Sequence, residues 1–192
     1  MLSPAIVHSW LNQFEKKQSY LSDPLAQLVE QLKAAEKAGD ETTARELVGR
    51  LPPLCDAFGS FESAEILEAG ETRVECGIAL IGLIDRTIEE NKPSLLKDAA
   101  QLFREAAFHY RGHRHQLAVS EWMLGHVLWQ LSGKANGAIE AWKHSIDLFS
   151  DLAESFLPAK ADEQWYQQSL KTMKESLKEA IKAGGVPLGI NP

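Results

Sequence analysis

Apolar residues recur at steps of three and four along most of this chain, and the breaks between those stretches fall at proline, glycine and small polar residues. Ser3 and Pro4 place a capping hydroxyl beside a first-turn proline. Ile6, Val7, Trp10, Leu11 and Phe14 follow at helical spacing, which predicts a helix within residues 1–22. Asp23 and Pro24 repeat that start signal. Leu25, Leu28, Val29 and Leu32 then form a stripe that ends at Gly39. Asp40 caps a shorter helix carrying Ala44, Leu47, Val48 and Leu51, stopped by Pro52 and Pro53. Together these two helices make a hairpin.

Beyond a looser stretch from Pro52 to Ser63, Ile66 to Ile88 reads as a long helix whose nearly all-apolar middle is expected to be buried. Asn91 to Ser94 is the next break, with Pro93 and a capping Ser94, and Leu96 to Tyr110 forms a helix ending at Gly112. Leu117 to Leu131 and Ala135 to Leu152 make a third pair around Ser132 and Gly133, and a last helix runs from about Asp162 to Ala183 before two glycines. The expected fold is all-α, with about eight helices and no strand, its antiparallel pairs stacked as a short array or a compact bundle. At 192 residues it reads as one domain. Its parts are an N-terminal helix (1–22), three hairpins (24–153), a capping helix (161–184) and a flexible tail (185–192).

The second helices of the hairpins share a pattern that helix propensity does not require. Ala99, Phe103 and Ala106 place a large residue between two small ones, and Ala138, Trp142 and Ser145 repeat this 39 residues later. Ala44, Val48 and Leu51 are a looser copy. Small residues at such positions let helices approach closely while the large one fills the gap between neighbours. With the Leu124-Gly125 pair on a first helix and Ala38-Gly39-Asp40 in the first turn, residues 25–152 resemble the tetratricopeptide repeat family. Trp122 stands two residues before Leu124 where the family's aromatic stands three before, and the family's regular period is not kept. Degenerate repeats are therefore expected.

In that family the first helix of each pair lines a concave groove. The resemblance implies a partner-binding face at Val119, Trp122, His126, Trp129 and Gln130, and in the first hairpin at Lys33, Glu36 and Lys37. Trp122, His126 and Trp129 also lie on one helical stripe by spacing alone. The competing reading for the two tryptophans is core packing, because their helix is apolar on nearly every side.

Composition narrows the function. The formal net charge of −7 argues against general nucleic-acid binding, which depends on clustered lysine and arginine. Two local basic stretches remain, Lys171 to Lys182 and a candidate patch of Arg104, Arg111, His113, Arg114 and His115. The N-terminal residues lack a charged-then-apolar export signal, and the longest apolar run, Cys76 to Ile84, is far below the ~20 residues of a membrane span. Cys55 and Cys76 have no metal-binding or CxxC spacing, which suits reduced thiols in a cytoplasmic protein.

His109, His113 and His115 draw attention as metal ligands, but Gly112 divides them and neither an HExxH pair nor a nearby cysteine completes a set. Imidazoles at a helix end interacting with its negative dipole are the plainer reading. Arg104 and His109 fit the Arg-x4-His spacing of HEPN-type ribonucleases, a match that composition makes common by chance, with Glu105 where that family prefers other residues. No phosphate loop, GxSxG elbow or recognisable carboxylate pair occurs. No catalytic residue, cofactor or metal is assigned. The expected function is a protein-interaction module, an adaptor or regulatory subunit that binds another protein or a peptide segment. The alternatives are a scaffold or homo-oligomerisation unit using the last helix, and a helical ribonuclease or ligand sensor around Arg104 and His109. That last helix carries Tyr166, Leu170, Met173, Leu177 and Ile181 on one stripe, with lysines elsewhere around it.

Overall fold

The computed structural model describes residues 23–51, 63–84, 86–132, 137–155 and 160–182. Seven α-helices and no strand occur among them: α1 (Asp23–Ala38), α2 (Glu41–Val48), α3 (Ser63–Ile84), α4 (Lys92–His109), α5 (Arg114–Ser132), α6 (Ala138–Ser155) and α7 (Lys160–Lys182). The helix expected within 1–22, the stretch containing Cys55 and the tail 185–192 lie outside the described residues. The described helices fall into two compact units, α1–α4 and α5–α7.

In the first unit, Gly39 ends α1 with a φ of 73°, a conformation that favours glycine. Asp40 starts α2, its two carboxylate oxygens accepting from the Thr43 backbone N–H at 3.0 Å and the Thr43 hydroxyl at 2.7 Å. Those bonds hold the Asp40 carboxyl below the usual aspartate range. Glycine opens the tightest approach between α3 and α4. A Cβ built at Gly70 would lie 2.5 Å from the Tyr110 ring, and one at Gly77 would lie 2.7 Å from the Phe103 ring. Residue numbers rise on α3 as they fall on α4, so the pair is antiparallel.

The neighbouring contacts run the other way. Lys33 on α1 meets Glu75 on α3 at 3.0 Å, and Glu36, one turn further along α1, packs on Gly82. Arg45 and Glu41 of α2 meet Asp98 and Asn91 at α4 in the same rising order. The hairpins α1–α2 and α3–α4 thus lie side by side with like helices parallel. Leu32, Leu47, Leu80, Leu83, Leu95 and Phe103 fill the core between them, none more than 3% exposed.

The α3 boundary differs from the sequence expectation. The helix ends at Ile84, not Ile88, and Ile88 is 65% exposed in the turn. Arg86 lies past the helix end and donates through Nη1 to the Glu36 and Lys37 carbonyls at 2.7 and 2.6 Å, satisfying the C-terminus of α1. Ser94 does not cap α4, because the helix already begins at Lys92 with Asn91 in the capping position. The Asn91 amide reaches Glu41 at 3.3 Å instead of capping.

The second unit is centred on α6, which packs against α5 and α7. Ser145 donates to the Ala118 carbonyl at 2.6 Å, and a Cβ at Gly125 would meet Trp142 at 2.5 Å. Here too the register is antiparallel. Leu170, Met173 and Ala180 are the buried side of α7, while Lys171, Lys174, Lys178 and Lys182 face solvent.

Candidate functional site

α5 is the most apolar of the hairpin helices after α3, and one of its flanks carries three tryptophan-related contacts. Trp142 of α6 lies across Gly125, its ring centroid 5.8 Å from Trp122 and 5.6 Å from Trp129, both tilted. Its indole N–H donates to the Trp122 carbonyl at 3.1 Å. Trp122 and Trp129 are seven residues apart, two helical turns, and the missing side chain at Gly125 leaves the slot between them. A large aromatic residue on α6 therefore requires a glycine on α5.

The five residues of the expected groove are divided by this packing. Val119 and Trp122 are 6% and 1% exposed and belong to the interior, so the core explanation holds for that tryptophan. Trp129 and His126 are half-buried, and Gln130 is exposed. The Gln130 side-chain amide donates to His126 Nε2 at 2.8 Å, which places the ring proton on Nδ1. Nδ1 is buried with no hydrogen-bond partner among the described residues, and burial pushes the imidazole down to about 4. His126 is thus neutral at ordinary pH. Trp129 meets the Trp142 ring, and the hydrogen-bonded pair of His126 and Gln130 lies beside it in sequence on the same helix.

No protein-family model matches the chain, and no curated protein or solved structure is significantly similar to it. No group of three or more histidine, cysteine, aspartate or glutamate side chains gathers among the described residues in a way that would hold a metal. None of the described helices is long and apolar enough to cross a membrane. Cys76 is fully buried beside Glu75, and burial pushes its thiol up to about 12, which disfavours the thiolate.

The remaining candidates are dispersed. Arg104 is exposed on α4, whereas His109, five residues on, is 8% exposed and turned inward. The Arg-x4-His spacing does not bring its two residues to one face. Arg111 and Arg114 are exposed, His113 is half-buried, and Arg114 forms a 3.6 Å ion pair with Asp151 in which both side chains are well solvated. The His115 side chain lies outside the described residues. Lys33 and Glu36, expected on the groove face of the first hairpin, turn toward α3. Burial opposes the charge on Lys33, but the carboxylates of Glu75 and Glu30 outweigh it and raise its affinity for the proton.

Sequence reasoning missed the buried charge of α3. Arg73 is 2% exposed, and its Nε donates to Glu105 Oε2 at 2.8 Å while Nη1 donates to the Ala69 carbonyl at 3.1 Å. The other Glu105 oxygen accepts from Gln101 at 3.0 Å. The available signal was Arg73, the single basic residue of α3, in the run Glu71-Thr72-Arg73-Val74-Glu75 just before the apolar stretch from Cys76, with Glu105 inside the small-large-small pattern of α4. A buried arginine needs a partner of that kind.

Proposed function

We propose that this chain is a cytoplasmic protein-binding module, an adaptor or regulatory subunit built from degenerate tetratricopeptide-like hairpins. It receives a partner segment on the α5 strip of His126, Trp129 and Gln130. The observation that carries this reading is the half-buried Trp129 ring, which keeps part of its surface exposed and is held by Trp142 at 5.6 Å. A backed aromatic ring loses little conformational freedom when a partner covers it, which is why such residues dominate interface energetics. Gln130 beside it offers a polar contact that can fix the register of a bound segment. Two further features support the hairpin reading. Like helices of the first two hairpins run parallel, and Gly77 opposite Phe103 repeats the pairing of Gly125 with Trp142.

The test separates surface from core. A partner captured on the parent chain would be measured by calorimetry against Trp129→Ala, Gln130→Ala and Trp122→Ala, with folding followed by thermal melting. Trp129→Ala is expected to lose about 2 kcal/mol of binding, roughly thirtyfold in affinity, with modest loss of stability. Trp122→Ala is expected to lose about 3–5 kcal/mol of stability instead, because its side chain leaves a core cavity. Full affinity in folded Trp129→Ala and Gln130→Ala would overturn the assignment.

A further inference from the structure

His109 closes α4 one turn after Glu105, and its position gives the α3–α4 hairpin a property that partner binding does not require. The imidazole is 8% exposed, and its Nε2 is buried with no hydrogen-bond partner among the described residues. The charged groups facing it from the described residues of the two helices are Arg73 on α3 and Glu105 on α4. Glu71 on α3 is turned toward Tyr110, whose hydroxyl lies 3.4 Å from its carboxylate. Both oxygens of Glu105 are already engaged, one by Arg73 and one by Gln101. A proton on His109 would place a second buried cation beside Arg73, with Glu105, already bound to Arg73 and Gln101, the one carboxylate facing both.

We infer that His109 is an acid-sensitive latch: its protonation opens the α3–α4 hairpin by competing with Arg73 for Glu105. The closed hairpin requires neutral His109, so closure weakens as pH falls. Burial, reinforced by the Arg73 charge and only partly opposed by Glu105, pushes the imidazole from 6.5 to about 4. An opened hairpin returns His109 to solvent and to its ordinary affinity for a proton. The ratio of opened to closed hairpin therefore rises as pH drops below 6.5, by roughly 100-fold at pH 4, and levels off below that.

Hydrogen exchange of the full chain, corrected for intrinsic rates and read by mass spectrometry between pH 7 and pH 4, measures that ratio. Protection of α3 and α4 amides is expected to fall by about 100-fold in the parent and by less than about threefold in His109→Gln. A His126→Gln chain serves as control and should keep the parent's α3–α4 profile. Unchanged α3–α4 protection in the parent, or an equal loss in His109→Gln, would overturn the inference. If His109→Gln does not fold, the NMR titration of the His109 ring in the parent decides. A midpoint near 4 accompanied by loss of α3–α4 protection supports the latch, and a midpoint near 6.5 in the closed protein overturns it.

Discussion

Gly125 has no room for even one methyl group, because Trp142 and the Ala138 carbonyl stand 2.5 and 2.9 Å from where a Cβ would be. Gly125→Ala is expected to lower the denaturant midpoint by an amount worth about 1–3 kcal/mol, since neither a fully buried indole nor helix backbone can yield cheaply. Gly77→Ala should act likewise through Phe103. Gly112 is the control, with nothing within 4 Å of its Cβ position, and Gly112→Ala should leave stability within about 0.5 kcal/mol of the parent. Equal midpoints for all three would mean that the close approaches are slack. At Glu105 the effect is electrostatic. Glu105→Ala strands the Arg73 cation in the core and is expected to cost about 3–5 kcal/mol, whereas the joint change Arg73→Met with Glu105→Leu should cost much less. A double-mutant cycle by urea unfolding separates the two cases.

Helix ends decide what could be foreseen at the scale of elements. The Gly39-Asp40 turn was legible because its chemistry is local: a glycine for a positive φ and a carboxylate for the next amide. The pairing of Ala99, Phe103 and Ala106 with a first helix was legible only by half. Gly77 stands 22 residues before Ala99 while Gly125 stands 13 before Ala138, and the longer α3–α4 connection hid the common design. The end of α3 at Ile84 was not legible, since Ile88 continues the apolar pattern while Arg86, past the helix end, turns to the carbonyls of α1. The division of the Trp122–Trp129 stripe also depended on the partner helix. Both residues share a face by spacing and both meet the Trp142 ring, yet only Trp122 is fully buried, a difference that spacing along one helix does not encode. Arg86→Ala should fray the C-terminus of α1 by about 1 kcal/mol. Faster exchange of the Gly39 and Asp40 amides, which bond to the Glu36 and Ala35 carbonyls, is the readout. Unaltered exchange there would show that Arg86 is not the cap.

At the scale of the whole molecule, the described residues of each compact unit include a histidine held at about 4, the buried His109 in the first and the half-buried His126 in the second. Because both folded values lie below the unfolded 6.5, the stability they protect is complete above pH 6.5 and declines as pH falls toward 4. The slope is at most about 1.4 kcal/mol per pH unit for each histidine. Thermal melts from pH 7 to pH 4 should show this decline, and His126→Gln should flatten its share; a melting temperature indifferent to pH over that range would refute it. Arg73 also constrains the order in which the chain can fold. Glu105 lies 32 residues downstream, so during synthesis α3 emerges before the carboxylate that meets Arg73 across the hairpin. Nascent chains arrested before residue 105 should therefore leave α3 open to protease, and release past α4 should close it in one cooperative step.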